Sequence, residues 1–496
     1  MTPPRARALM VQGTASGVGK SAVVTALCRL FRREGIRVAP FKAVNMSLNA
    51  GVTLCGGEMG RAQIVQAEAA GAIPDVRMNP ILLKPVAGEG MQVIARGSPV
   101  GLLAADEFLA RRGWAWEIIE EAYRELAATH ELLILEGMGG PAEVNLRESD
   151  LANMRVAALT GAPVLLVADM AFGGAFAALL GTFLLLALEE RSRVAGFLLN
   201  RYGGERSRLE PAIADLVHRT DRPVVGVLPW HDGLALPEED SASLRDSHGR
   251  PGAPLRVGIV WLPHLSNFDE FGPLTREVDV AVTYLRVPEE VPRCDAVILP
   301  GSRATAADLA SLRRCGVAEA IRAFAEGGGH VVGICGGFQM LGRRLQDPEG
   351  VEGGGETEGL NLLPVETVFA VEKVTSPVRV SANPLLGPDG LGGIAGYQIH
   401  HGRIHVDPGT PSALLTASGE PEGARSPDGR TWGSAVHGLF EDDRFRRAWL
   451  NRLRADRGLP SLPPRAEDRE AILDAWADCV KAHTDWQRIR QLALGS

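Results

Sequence analysis

Short apolar runs recur through the first 230 residues, and between them apolar positions return every three or four residues. The runs read as buried strands and the intervening period as amphipathic helices. The pattern therefore predicts βαβ units on a mostly parallel sheet. Strands are predicted over Ala8–Gln12, Val38–Lys42, Leu132–Glu136, Pro163–Asp169, Val194–Asn200 and Val224–Leu228. From Trp230 to Pro254 the periodicity gives way to Pro237-Glu238-Glu239-Asp240 and Ser247-His248-Gly249-Arg250-Pro251-Gly252, a polar linker. A second α/β pattern opens at Arg256-Val257-Gly258-Ile259-Val260 and continues through Ala296–Pro300, Val331–Ile334 and Gly433–Val436. After Glu441 the chain turns charged and helical, over Arg444–Asp456 and Arg465–Leu492. The expected division is an α/β domain at 1–232, a linker at 233–254, a second α/β domain at 255–445 and a helical extension at 446–496.

One run departs from the alternation. Phe172–Leu188 contains no charge and approaches the length of a membrane span. It directly follows a predicted strand and opens with Gly173 and Gly174, so a helix packed across a parallel sheet is the preferred reading.

The first strand runs into Gly13-Thr14-Ala15-Ser16-Gly17-Val18-Gly19-Lys20-Ser21, a variant P-loop with Thr14 in place of the usual first glycine. Backbone N–H groups of Gly13, Thr14, Ser16, Gly17, Val18 and Gly19, with the N-terminus of a helix over Ser21–Phe31, are expected to cradle phosphates. Lys20 would neutralise them, and Ser21 would offer a hydroxyl to Mg²⁺. Leu132-Leu133-Ile134-Leu135-Glu136 ends a strand on a carboxylate, so Glu136 is the candidate acid beside the same Mg²⁺; the alternative is a solvent-facing strand-end Glu.

In the second half, Val331-Val332-Gly333-Ile334-Cys335-Gly336-Gly337 is an apolar strand that stops at a cysteine between glycines. Gly333-x-Cys335-x-Gly337 has the spacing of a nucleophile elbow, where small neighbours accommodate a strained nucleophile backbone. A lone cysteine in a Gly-rich turn is more often buried and inert. Here Gly433-Ser434-Ala435-Val436 delivers His437 to another strand end, which supplies a base. Cys335 and His437 are therefore the candidate catalytic pair. Donors near Gly301 and Gly336 are candidates for an oxyanion site, and Gln339, one turn beyond the cysteine, for contact with substrate.

These motifs carry a resemblance. Cys335-Gly336-Gly337-Phe338-Gln339, His437 and the upstream Leu299-Pro300-Gly301-Ser302 resemble class I glutamine amidotransferases, which release ammonia from glutamine through a glutamyl thioester. The P-loop resembles dethiobiotin synthetase-type ligases, and that likeness implies that Asn200 reads an adenine edge; a structural strand-end Asn is the alternative. Pro40–Asn49, Glu58–Gln63 and Arg77–Pro85, together with the order of the two domains, resemble the cobyric acid synthase family. The resemblance implies ATP, Mg²⁺ and glutamine as reactants, and a corrinoid, adenosylcobyrinic acid a,c-diamide, as the substrate amidated at carboxylates b, d, e and g. Lys42, Asn45, Asn49, Arg61 and Lys84 become candidate substrate contacts, the cations offsetting carboxylates. One departure stands out: the usual His-Pro-Glu reads His437-Gly438-Leu439, so the triad acid is absent from its place, and a backbone carbonyl is expected to orient His437. Two other readings stay open, a cobyrinic acid a,c-diamide synthase and a non-catalytic P-loop regulator or partitioning ATPase.

Composition narrows the class. With 45% hydrophobic and 23% charged residues the chain reads as an ordinary globular protein. A net charge of −8 argues against nucleic acid as a partner. Six scattered cysteines, without Cys-x-x-Cys spacing, suit a reducing compartment and suggest no zinc site. The N-terminus enters a strand without a signal-peptide pattern, so a cytoplasmic, membrane-free protein is expected, compatible with a homo-oligomer.

Overall fold

The computed structural model describes residues 6–86, 90–145, 147–230, 252–386 and 391–495. Most of the expected linker lies outside these residues. The first domain is built on a six-stranded parallel sheet in the order Val224–Pro229, Val194–Tyr202, Val164–Asp169, Arg7–Gly13, Leu132–Glu136, Val38–Phe41. All six predicted strands are present, with ends displaced by at most two residues. The sheet is covered on both faces, so its strands are continuous apolar runs rather than alternating ones: Leu9, Met10, Val11, Leu132, Leu133 and Ile134 are all buried.

Order in the sheet sets the site. Arg7–Gly13 lies beside Leu132–Glu136 with Val11 opposite Glu136, so the P-loop and the Glu136 carboxylate emerge together at the carboxyl edge. The following helix spans Lys20–Arg33. The apolar run resolves into a helix over Ala175–Leu185, with Leu179 and Phe183 against the sheet. No described helix is long and apolar enough to cross a membrane.

The second domain repeats the logic. Its sheet runs Val280–Leu285, Leu255–Val260, Ala296–Leu299, His330–Ile334, Thr431–Ser434, Ala424–Arg425, parallel except for the last strand. His330–Ile334 sits between the strands that end near Gly301 and His437, so three distant segments converge at one strand end.

Two additions lie where the two domains meet. A four-stranded sheet of Val44–Met46, Ile81–Pro85, Met91–Ala95 and Ser98–Leu103 grows from the first domain. A long antiparallel ribbon, Val365–Ala382 with Ile394–Val406, belongs to the second. Ala50, Leu82 and Ile94 from the first domain pack with Tyr397 and Ile399 of the ribbon in one apolar cluster.

The C-terminal extension is not one unit. The helix Asp443–Asp456 stays with the second domain, where Trp449 packs on Phe440, and Arg446 and Arg447 reach Glu277. Helices Arg469–Ala482 and Trp486–Leu494 return to the first domain. There Arg29 grips Asp474 and Glu470, Trp476 donates to Ala22 O, and Trp486 packs on Phe31. The charged helices of the expected extension thus carry apolar faces that pack against the P-loop helix.

Candidate active sites

Cys335 occupies the elbow between the strand His330–Ile334 and the helix Gly336–Leu341, at φ 51° and ψ −109°. A non-glycine residue at positive φ is strained, and the surroundings impose it. A β-carbon at Gly337 would fall 1.9 Å from Leu299 O, and one at Gly333 would fall 2.7 Å from Gly337 O. Only glycine fits at either place, which is the physical content of the Gly-x-Cys-x-Gly spacing. Cys335 N donates to Ser434 O at 2.8 Å, tying the elbow to the strand that leads to His437.

His437 is buried and stacks on Tyr397, ring centroids 5.3 Å apart. Its Nδ1 meets Glu270 Oε1 at 2.8 Å, and the other Glu270 oxygen accepts from Gly438 N at 2.9 Å. The expectation of a missing acid held by a backbone carbonyl is therefore corrected. The carboxylate is present, but it comes from the short helical turn Phe268–Phe271, far upstream of the histidine. Leu439, at the usual acid position, is buried in the core instead. The turn placed Glu270 out of reach of a motif search. Its one local signal is the acid pair Asp269-Glu270 between Phe268 and Phe271, whose burial draws the carboxylates inward. Burial works against a charged imidazole, but Glu270 and the Cys335 sulfur outweigh it and lift His437 to about 10. An imidazolium held beside a cysteine is the environment that activates a thiol nucleophile.

The surrounding cavity has a volume of about 20 Å³, room for about one water. Ser302, Arg303, Thr305, Gln339, Glu352 and His401 help line it, and Lys84 enters from the first domain. Gly301 packs on the histidine: a β-carbon there would lie 3.1 Å from His437 Cε1. Gly336 lies against Ser302, whose backbone nitrogen would be 2.8 Å from an added β-carbon. The absence of a side chain at each thus lets the Gly301-Ser302 backbone approach the histidine and the elbow. Gln339 is buried, and its Nε2 has no hydrogen-bond partner. Gly355–Glu358 pairs with Arg344–Asp347, and Glu352, between these strands, receives Thr305 N and Oγ1. Burial pushes Glu352 up to about 7 against the pull of Arg303. His400 and His401 bond backbone carbonyls through Nδ1, and no group of metal-ligating side chains occurs among the described residues.

The nucleotide site is built at the carboxyl edge of the first domain's sheet. Gly17 and Gly19 take φ of 74° and 97°, turning the loop into the helix; no side chain caps the helix N-terminus, and its first N–H groups point into the loop. Lys20 Nζ donates to Ala15 O at 2.9 Å and Gly139 O at 3.2 Å. Ser21 Oγ donates to Glu136 Oε1 at 2.8 Å. Lys42 Nζ reaches the same oxygen at 2.7 Å, and Gln66 Nε2 holds Oε2 at 2.5 Å. Burial favours the neutral acid, yet Lys42 above all holds Glu136 below the usual carboxylate range. Asn200 Nδ2 donates to Val18 O at 2.9 Å and leaves no room for a side chain at Gly19, so it buttresses the loop.

These two sites sit in the two halves that the family models match. Residues 9–244 match the CobQ/CobB/MinD/ParA nucleotide binding domain, and residues 256–445 the CobB/CobQ-like glutamine amidotransferase domain. Over nearly full length the chain is 45% identical to a cobyric acid synthase of Moorella thermoacetica, covering 98% of this chain and 96% of that one. It is 47% identical to those of Trichormus variabilis and Nostoc sp., covering 97% of this chain and 99% and 98% of theirs. The chain belongs to the cobyric acid synthase family. It is accordingly a glutamine-dependent, amide-forming ligase that uses ATP, and the regulatory-ATPase reading is set aside.

Membership makes the remaining candidates worth placing. Three cations expected to face substrate are engaged by protein carboxylates: Lys42 by Glu136, Arg61 by Asp269 and Glu441, and Lys84 by Glu58. All three are buried, and a cation buried without a partner would be costly. Arg61 and Lys84 thereby serve the domain boundary; Asp269, which Arg61 grips, adjoins Glu270. Asn45 donates to Gln63 Oε1 at 3.0 Å, while Asn49 Oδ1 accepts from Phe268 N of the second domain at 3.1 Å. Asn267, lining the cysteine pocket, accepts from Ala50 N at 3.1 Å. Buried amides thus occur at both ends of this region, Asn267 and Asn49 at the domain boundary and Gln66 on Glu136, with the Asn45–Gln63 pair as a further buried couple. Among these amides Gln63 Nε2 and Gln66 Oε1 lack partners.

Proposed function

We propose that the enzyme amidates carboxylates b, d, e and g of adenosylcobyrinic acid a,c-diamide, consuming ATP and taking ammonia from glutamine. The observation that carries this reading is the pairing of a Cys335–His437–Glu270 line with a P-loop in one chain, joined through a buried polar boundary. A carboxylate is a poor electrophile. Phosphorylation by ATP converts it to an acyl phosphate, and ammonia then displaces phosphate to give the amide. Lys20 and the helix N-terminus stabilise charge on the transferring phosphoryl group. Ser21 and Glu136 form a hard oxygen pair that suits Mg²⁺, the other positions being left to phosphate and water. Bound there, Mg²⁺ would offset phosphate charge.

In the second domain the Cys335 sulfur attacks the glutamine side-chain carbonyl. The proton on His437 goes to the departing ammonia, and water then releases glutamate from the thioester. Glu270 holds the imidazole by Nδ1, so Nε2 is left for the sulfur and the leaving group. Ammonia is mostly protonated in neutral water, which favours its release into a closed route. The buried boundary between the two domains, with its amides and paired charges, is where such a route would run. Neutral Asn45 and Asn49 also suit a substrate that carries both carboxylates still to be modified and carboxamides already made.

Chromatography and mass spectrometry of a time course with ATP, Mg²⁺ and glutamine test the reading. Partly amidated intermediates should appear and end at four new amides, with cobyrinic acid a poor substrate. Amidation at a and c, or a series that stops after two additions, would move the assignment to the a,c-diamide synthase. The protein is read as cytoplasmic.

A further inference from the structure

The thiol pocket contains an arginine that no carboxylate bonds, although Glu352 lines the same pocket. Arg303 follows the Gly301-Ser302 strand, lines the cavity, and donates from Nη2 to Gln92 Oε1 at 2.7 Å. Its Nε is buried without a hydrogen-bond partner, and no ion pair joins it to a described carboxylate. Gln92 belongs to the first domain. On the strand Met91–Ala95 it lies directly opposite Lys84 on Ile81–Pro85, so both side chains leave the same face of the small sheet. That face is pressed against the second domain. Gln92 Oε1 also accepts from Lys373 Nζ at 3.2 Å, and its Nε2 meets His401 Nε2 at 3.0 Å. Lys84 and Lys373 share one buried carboxylate, Glu58, at 2.7 and 2.5 Å. Arg303, Lys84 and Lys373 thus gather at one wall, where Glu58 bonds the two lysines and burial holds both below the usual lysine range, while Glu352 stands on the Thr305 side.

Arg303 is then the cation of this wall that no acid bonds, with a buried donor left over, and such a group suits an anionic part of the substrate. Glutamine carries one at the end remote from its reacting amide. We infer that Arg303 seats the α-carboxylate of glutamine, and that Gln92 and Lys84 of the ligase domain position it, so that the glutamine pocket is complete only across the domain boundary. Guanidinium is the side chain whose planar donors match a carboxylate, and a buried unpaired N–H is a donor held ready for one. The docking of the small sheet then sets the affinity for glutamine and leaves the consumption of ammonia alone.

The inference rests on Cys335 being the glutaminase nucleophile, and the experiment separates the two. Glutaminase rates of the full-length enzyme are measured with L-glutamine and with its α-carboxamide, alongside synthesis from ammonium chloride. The native enzyme should prefer glutamine. In Arg303→Gln the KM for glutamine should rise on the order of tenfold to a hundredfold, the scale of a lost charge-assisted hydrogen bond, and the preference should collapse. In Gln92→Leu the preference should narrow by about tenfold or less, with ammonium-supported synthesis within about twofold of native. An Arg303→Gln enzyme that keeps its preference overturns the seat, and misfolding does not confuse this, because the preference is a ratio within one preparation. A Gln92→Leu enzyme that loses ammonium- and glutamine-supported synthesis alike overturns the cross-domain part. If Cys335→Ala keeps glutamine hydrolysis, it is the nucleophile assignment that fails.

Discussion

The two sites of this chain are assembled in opposite ways. The nucleotide site is mostly one continuous stretch, Gly13–Ser21, completed by Glu136 from the adjoining strand. The thiol site draws Cys335, His437, Gly301 and Glu270 from four separate segments, and its pocket takes residues from both domains. Each is centred on a buried carboxylate, but the two acids do different work. Glu136 gathers Lys42, Ser21 and Gln66 around the place where phosphates bind. Glu270 spends both oxygens on one histidine and the amide that follows it. A phosphate cradle needs backbone donors in a row, which a short sequence encodes. A nucleophile needs a base and an orienting acid at fixed distances, which only the fold supplies.

The comparison breaks most completely at Lys20. Both glutamine and ammonia enter through the acyl phosphate, so Lys20→Ala should abolish synthesis from either nitrogen source. Assaying ATP-dependent synthesis with each source checks this; activity surviving with either one would mean that Gly13–Ser21 is not the catalytic nucleotide site. Cys335→Ala should split the two: glutamine-supported synthesis is lost, and synthesis from ammonium salt stays near native. Substantial glutamine-dependent activity in that variant would leave Cys335 with a structural role only.

What could be read beforehand followed the same division. The six strands of the first sheet, the P-loop helix and the elbow are each written in local pattern, because burial on both faces forces continuous apolar runs and strained turns force glycine. Glu270 was not legible, since its partner is far along the chain and the position usually read for the acid holds Leu439. Neither were the true partners of Lys42, Arg61 and Lys84, for a lysine in sequence looks the same whether it faces solvent or a buried Glu. The small sheet around Lys84 and Gln92 was hidden as well. Its residues were read for chemistry, and its apolar alternation serves two neighbours, Ile81, Leu83 and Val93 joining the first domain's core and Leu82 and Ile94 the domain boundary.

His437→Ala comes next in size. Loss of the group that carries the proton should lower the glutaminase rate on the order of 10²-fold or more. Ammonium-supported synthesis should be unaffected. Equal glutaminase rates in the variant and the native protein would remove His437 from the mechanism.

The smallest effect sharpens the comparison most, because it asks what a carboxylate adds once the histidine is in place. Glu270→Gln keeps an acceptor for Nδ1–H but turns an NH2 toward Gly438 N–H, so it removes the charge and one accepted hydrogen bond while the side chain keeps its size. The glutaminase rate should fall by about tenfold, at the lower edge of general acid–base effects. Its pH profile should move further than its height. In the native protein His437 titrates at about 10, held there by Glu270 and the Cys335 sulfur against the effect of burial. Without the Glu270 charge the imidazolium loses its main support and deprotonates at lower pH, so the alkaline limb of glutamine hydrolysis should shift downward. Stability gives the same sign. A folded value above the ordinary 6.5 means that the pair's contribution is complete below that pH and lost as pH rises through about 10. Denaturant unfolding should therefore separate native protein from Glu270→Gln more widely at pH 6 than at pH 10. An alkaline limb that stays in place, together with an unfolding difference independent of pH, would make Glu270 a packing residue and return the orientation of His437 to the backbone.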